Sequence, residues 1–293
     1  MSDTILFNGE FIEADQAKLS VWDGGWLHGA GLFETLRARG GRVFRLEAHL
    51  SRLMASAQKL LFPIDRSDLP SAGDFAELLK VNDTPQARVR LTVSAGPVLG
   101  ESVGDETGHR PKLTVCVTTT PFVPYPESHR RGGMTVCIHR TKTSPDDDTA
   151  GHKTTCFLPR LLALRDAHAR GCNEALWFTT ANLLAESCVS NVFLVKDATL
   201  FTPPVETPVL PGITRSIVLE LAGDQGLAVE QKPLTIDALL DADEVFLTNS
   251  IMEIMPVCRV EKREIGSGKP GPIAAALQAA YLGVLEKECP SDG

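Results

Sequence analysis

Gly151-His152-Lys153-Thr154-Thr155 stands near the middle of the chain, between a polar loop and an apolar helical pattern. The loop before it, Ser144-Pro145-Asp146-Asp147-Asp148, is built of turn-forming residues. After it, Thr154 or Thr155 is placed to cap a helix whose apolar stripe is Leu158, Leu161, Leu162 and Leu164, and Gly171 is placed to end it. A lysine acts as an amine nucleophile or base only where its surroundings favour the neutral form. Lys153 alone therefore reads as surface charge. Two features downstream change its standing. Glu186 reads as a loop carboxylate between apolar strands. Leu210-Pro211-Gly212-Ile213-Thr214-Arg215 places a helix start, with its positive dipole end, free N–H groups and a hydroxyl, where an anion can sit. Each taken singly is ordinary turn or helix capping.

The 293 residues are 43% hydrophobic and 23% charged, which is globular composition with chain enough for one large domain or two smaller ones. The net charge is −8 and no basic run interrupts it, which argues against nucleic-acid binding. The seven cysteines are scattered, with no Cys-x-x-Cys pair, so no metal site or disulfide framework is expected and a reducing cytoplasm fits. Met1-Ser2-Asp3-Thr4 does not read as a signal peptide, and no apolar run has the roughly 20 residues of a membrane span.

Outward from the lysine, the chain alternates strands and helices. Asn8-Gly9 between Ile5-Leu6-Phe7 and Glu10-Phe11-Ile12 predicts a tight hairpin. Asp23 through Gly31 is rich in glycine but lacks the spacing of a nucleotide loop. Residues 47–61 have helical period, with Leu50, Leu53, Met54, Ala57 and Leu60 on one face and His49, Arg52, Ser56 and Lys59 on the other. On that pattern alone Arg52 is a solvated arginine. Ala87 to Ala95 alternates as a strand, with Arg88, Arg90, Thr92 and Ser94 on one side. Two arginines on one strand face suit either solvent or a carboxylate. A polar loop follows from Gly96 to about Arg110. Pro121 to Pro126 reads as a linker. Leu200-Phe201-Thr202 reads as a short edge strand, and Glu244 to Leu247 as a buried one running into Thr248-Asn249-Ser250. The expected organisation is a smaller N-terminal α/β domain over 1–120, a linker over 121–131, and a larger C-terminal domain over 132–293.

An amine, a carboxylate able to keep a pyridine nitrogen protonated and an anion cradle are what pyridoxal phosphate requires. The motifs that carry a resemblance are Phe7-Asn8-Gly9, Asp23 through Thr35, His49-Leu50-Ser51-Arg52-Leu53, Lys153-Thr154, Asn173-Glu174-Ala175-Leu176, Glu186 with Ser190-Asn191-Val192-Phe193, Leu210 through Arg215, and Asp243-Glu244-Val245-Phe246. Weak singly, in this order they make the chain resemble the class IV, or fold-type IV, pyridoxal-phosphate enzymes from about Leu6 to Tyr281. The resemblance implies a two-domain α/β (α+β) fold with the cofactor between the domains, and a homodimer. It implies that Lys153 forms the Schiff base and shuttles the proton, that Glu186 partners the pyridine nitrogen, and that Arg52 binds the phosphate with Ile213, Thr214 and Ser250. Phe157 then falls near the cofactor, where the family often has a tyrosine. His28, Phe33, Arg88 and Arg90 fall on the substrate side, His28 where an aromatic residue is frequent.

Within this family, Asp23 to Gly29, Ala87 to Gly96 and Thr248 to Pro256 look more like the 4-amino-4-deoxychorismate lyases of folate biosynthesis than the branched-chain aminotransferases. The expected activity is a lyase releasing 4-aminobenzoate and pyruvate. The alternatives are an aminotransferase using a D-amino or branched-chain amino acid and a 2-oxo acid, and a cofactor-binding module without chemistry. The expected partner is a small-molecule amine or amino acid, not nucleic acid or membrane.

Overall fold

The computed structural model describes residues 3–96 and 113–291. Most of the polar loop expected after Gly96 lies outside them. The chain divides into two compact units. The first comprises Met1–Val123, Lys153–Cys156 and Leu285–Gly293, and the second Pro124–His152 and Phe157–Val284.

The first unit contains β1 (Thr4–Phe7), β2 (Glu10–Glu13), α1 (Gly24–His28), β3 (Gly31–Arg39), β4 (Arg42–Val43), α2 (Leu46–Lys59), α3 (Ala72–Val81), β5 (Ala87–Ser94) and β6 (Thr114–Pro121). Its sheet runs β2-β1-β6-β5-β3-β4, antiparallel throughout. The hairpin forms at Asn8-Gly9, both residues taking positive φ (51° and 85°), as the tight two-residue turn demands. Strand alternation sends Leu32, Leu36, Val89, Leu91, Val93 and Val117 to one face, where they pack with Leu50 and Leu53 of α2 and Phe75 and Leu78 of α3. The polar stripe expected on α2 is only partly outward: His49 and Ser56 are 1% and 5% exposed. A polar side chain is buried there because a partner reaches it from another strand, which periodicity cannot reveal.

The second unit contains α4 (Glu127–Gly132), β7 (Met134–Ile138), α5 (Leu158–Ala169), β8 (Glu174–Phe178), β9 (Leu184–Ser187), β10 (Asn191–Lys196), β11 (Thr199–Thr202), α6 (Ile213–Asp224), β12 (Ala228–Gln231), α7 (Ile236–Leu240), β13 (Glu244–Asn249), β14 (Glu253–Val260), β15 (Arg263–Glu264) and all but the last residues of α8 (Pro272–Glu288). Its mixed sheet runs β12-β11-β10-β13-β14-β7-β8-β9, with β15 on β14. The β11–β12, β14–β7 and β7–β8 pairs are parallel. The whole is a mixed α/β architecture.

Three local expectations are corrected. Neither Thr154 nor Thr155 caps α5; Phe157 holds the N-cap position without a side-chain cap. Of the four α5 leucines only Leu164 faces inward, half-buried against the cluster of Ala163, Ala167, Ala175 and Trp177. Leu158 and Leu162 are 61% and 53% exposed, whereas Ala163 and Ala167 are buried beside Ala175 and Trp177. Small residues let the helix approach the sheet closely, so the alanines rather than the leucines mark the contact. Lastly, β11 is not an edge, because β12 pairs outside it. Among the described residues no helix is long and apolar enough to cross a membrane, and no His/Cys/Asp/Glu group is arranged to hold a metal.

Candidate functional site

In the first unit, Lys153-Thr154-Thr155 lies along β3 like an added strand. The Phe33 N–H donates to the Lys153 carbonyl (2.9 Å), the Thr155 N–H donates to the Gly31 carbonyl (2.9 Å), and Leu32 bridges Thr154. The Thr155 hydroxyl donates to the Gly29 carbonyl (2.6 Å). The glycine-rich stretch makes this approach possible. A Cβ on Gly31 would press on Thr155 Oγ1, and one on Gly29, itself at φ +69°, would press on Cys156 Sγ. Asp23 secures the turn before it, accepting from the Gly25 N–H (2.8 Å), the Trp26 N–H (3.2 Å), the Ser94 hydroxyl (2.5 Å) and the Thr114 hydroxyl (3.0 Å). His28 ends α1 and is exposed.

Backbone pairing thus delivers the Lys153 amine to the Phe33 ring, with Nζ 4.6 Å from its centroid. The Arg90 guanidinium carbon lies 3.3 Å from the same centroid, a stacking worth about 0.5–2 kcal/mol. The Arg90 Nε donates to Thr92 Oγ1 (3.2 Å). Burial, and then the neighbouring Arg88 charge, push the Arg90 guanidinium down to about 10. It remains cationic at neutral pH. Arg88 is exposed on the same face.

Arg52 is not a solvated arginine. Its Nε donates to Glu34 Oε1 (2.8 Å) and its Nη2 to Glu34 Oε2 (2.5 Å). His49 Nδ1 lies 2.7 Å from Glu34 Oε2. An ionised carboxylate only accepts, so Nδ1 carries the proton. Burial opposes the Glu34 charge, but Arg52 and the His49 hydrogen bond outweigh it and hold the carboxyl down to about 2. Burial lowers His49 and keeps it neutral, the Glu34 carboxylate opposing. The sequence contained a signal for this cluster: His49 and Arg52 are three apart on a helix and share a face. What it lacked was Glu34, which comes from β3.

In the second unit, Glu186 sits on β9 rather than in a loop and is buried. Its Oε1 accepts from Arg160 Nη2 (2.6 Å) and its Oε2 from the Leu210 N–H (2.9 Å). Asn191 Nδ2 donates to the Leu210 carbonyl (2.8 Å) and reaches Glu186 Oε2 at 3.5 Å. Asn191 therefore ties the carboxylate to the segment entering α6. Arg160 had no sequence signal beyond its place on α5. Gly212 is the α6 N-cap and supplies no side-chain cap, with Ile213 and Thr214 as the first helical residues and Thr214 buried. A Cβ on Gly212 would overlap the Asn191 amide oxygen. Gly212→Ala is thus expected to cost about 1–3 kcal/mol by overpacking, read as a lower urea midpoint; an unchanged midpoint would show that Asn191 yields freely. Ser250 lies in the turn after β13, where Asn249 Oδ1 accepts from the Ile251 (2.9 Å) and Met252 (2.7 Å) N–H groups. Phe157 is half-buried at the start of α5.

Lys153, Arg52, Phe33, Arg88 and Arg90 therefore belong to the first unit, with His28. Glu186, Ile213, Thr214, Ser250 and Phe157 belong to the second. The first unit thus carries a primary amine at Lys153, and the second a buried carboxylate at Glu186 and a helix start uncapped by side chains where no Cβ can be accommodated.

Comparison with known proteins agrees with this chemistry. The model of the amino-transferase class IV family matches residues 31–260. The chain is 30% identical over 294 residues to the branched-chain-amino-acid aminotransferase of Escherichia coli, covering 98% of this chain and 94% of that one. It is 32% identical over 279 residues to the aminodeoxychorismate lyase of Bacillus subtilis, covering 94% and 93%. Among solved structures it resembles a T.th. branched-chain amino acid aminotransferase with pyridoxamine 5'-phosphate. The TM-score is 0.86 and the identity 28%, with 96% of this chain and 93% of that chain covered.

Proposed function

Because this chain belongs to the amino-transferase class IV family, pyridoxal-5'-phosphate enzymes, we propose that Lys153 carries its chemistry and that its substrate is 4-amino-4-deoxychorismate, cleaved to 4-aminobenzoate and pyruvate. The bound cofactor supplies an electron sink for the bond broken beside the substrate's amine carbon. Lys153 would hold the cofactor at its aldehyde and would carry the transferred proton at Nζ. Glu186 would partner the pyridine nitrogen and keep it protonated. Arg52 and the N–H groups at Ile213 and Thr214 hold the phosphate, with Ser250 adding a hydroxyl. Phe157 lies near the cofactor. His28, Phe33, Arg88 and Arg90 line the substrate side. Work as a homodimer in a reducing cytoplasm belongs to the same proposal, and the seven free cysteines are in keeping with it.

The observation that carries the reaction class is the Lys153 amine resting on the ring that also carries the Arg90 guanidinium. It supports an amine that bears a carboxylate. The choice of lyase rests on the stretches Asp23 to Gly29, Ala87 to Gly96 and Thr248 to Pro256. Amino transfer is the second reading, favoured by the similarity to the E. coli aminotransferase along nearly the whole chain. Two assays on cofactor-loaded protein separate them. With 4-amino-4-deoxychorismate, 4-aminobenzoate fluorescence and an equal amount of pyruvate are expected. With branched-chain or D-amino acids and 2-oxoglutarate or pyruvate, little amino transfer is expected. Rapid transfer without 4-aminobenzoate would replace the first reading by the second.

A further inference from the structure

Arg160 lies three and seven residues before Ala163 and Ala167, on the face of α5 that these two buried alanines press against the sheet. That placement brings its guanidinium to the end of β9. Nη2 donates to Glu186 Oε1 (2.6 Å) and Nη1 to the Ser187 carbonyl (2.5 Å), so the planar fork grips side chain and backbone of adjacent residues together. Its face is held as well. The guanidinium carbon lies 5.1 Å from the Trp177 ring centroid, and Trp177 Nε1 donates to Cys188 Sγ (3.4 Å). Among the described residues Arg160 is the one ion-pair partner of Glu186, whose side chain is 8% exposed. An ionised carboxylate has about four lone-pair sites. Arg160 takes one on Oε1 and the Leu210 N–H takes one on Oε2, so both oxygens are clamped and each keeps a site for a further donor. A buried carboxylate without a cation beside it favours its neutral form. A neutral carboxyl does not hold a proton on a pyridine nitrogen. The charge at Glu186 therefore depends on a side chain from a different element.

We propose that Arg160 is a positioning residue for the reaction: it fixes the plane of the Glu186 carboxylate and balances its charge, so that Glu186 can partner the cofactor's ring nitrogen. Arg160 acts through Glu186 and not by touching cofactor or substrate. It can do so only if Glu186 is the partner of that nitrogen, as proposed above. Charge and geometry both matter. A lysine at 160 would supply the charge, but as a point donor on a flexible stem it would not hold the Glu186 carboxylate and the Ser187 carbonyl in one plane.

A double-mutant cycle tests this. The dissociation constant of pyridoxal 5'-phosphate, read from its absorbance band on the full-length protein, and the turnover number are measured for the wild type, Arg160→Gln, Arg160→Lys, Glu186→Gln and the variant carrying both glutamines. Arg160→Gln is expected to weaken cofactor binding and to lower turnover, each by about tenfold or more. Arg160→Lys recovers part of both. In the Glu186→Gln background the further loss caused by Arg160→Gln shrinks to less than about twofold, because the two side chains act as one unit. An arginine that only braced α5 would cost the same in both backgrounds. Equal losses in the two backgrounds, or an unchanged dissociation constant in Arg160→Gln, would show that Arg160 does not act through Glu186. Should Arg160→Gln fail to fold, the same cycle is run with Arg160→Lys. Failure of the Glu186 assignment has its own pattern: Glu186→Gln alone then keeps wild-type affinity and turnover, which removes the role of Arg160 with it.

Discussion

With Lys153 as the proposed reacting amine, its replacement by alanine is expected to lower turnover by a factor on the order of 10³ or more. The substitution leaves the backbone free to keep its place. The Phe33 N–H donates to the Lys153 carbonyl and the Thr155 N–H to the Gly31 carbonyl, contacts that any residue at 153 retains. The thermal midpoint should therefore move little, and a large activity loss with a small stability change identifies chemistry rather than folding. A second readout is direct. Borohydride reduction of the cofactor-loaded wild type should leave a pyridoxyl group on Lys153, detectable by peptide mass, and Lys153→Ala should carry none. Retention of more than a tenth of the activity, or a pyridoxyl group on a different lysine, would move the reacting amine elsewhere.

Glu34→Gln is expected to destabilise the protein by about 1–3 kcal/mol, because it removes the buried carboxylate that takes charge-assisted hydrogen bonds from Arg52 and His49. Arg52 is almost completely buried and makes two hydrogen bonds to Glu34, while His49 donates a third. Glutamine preserves shape and can still accept, but it cannot neutralise the guanidinium. The wild type should show the same dependence through pH. The Glu34 carboxyl lies at about 2 in the fold against an ordinary 4.5. A carboxyl depressed in this way stabilises fully above its ordinary value. Its contribution, on the order of 3 kcal/mol, fades as pH falls from about 4.5 toward 2. His49 acts in a higher window. Its lowered value favours the neutral ring, so stability begins to fall as pH drops below 6.5, the ordinary imidazole value. Urea midpoints across this range should decline in two stages, and Glu34→Gln should abolish the lower one. An equal midpoint for variant and wild type at pH 7 would mean that Arg52 has another counter-charge.

The two predictions separate what is carried locally from what is not. Asn8-Gly9, Gly171 after α5, the start of α6 at Gly212 and the alternation of Arg88 and Arg90 were legible because each depends on turn chemistry or on period within a few residues. The motif order around Lys153 was likewise legible and pointed to the family. The outward leucines of α5 were misread because period marks a stripe without saying which neighbour it faces, and two alanines made the closer contact. Glu186 was misread as a loop residue because β9 is short and exists only through its pairing with β8.

The sequence by itself determined the family motifs around Lys153, the helix start at Gly212 and the strand face that presents two arginines. These follow from residue identity and nearest-neighbour geometry. Only the tertiary structure decided that Arg52 is held by Glu34 and His49, that Asn191 and Arg160 tie down Glu186, and that Lys153 lies against Phe33. Each of these joins segments far apart in the chain. A polar side chain's burial and charge are set by the partner that long-range pairing brings to it, and no local pattern encodes that partner.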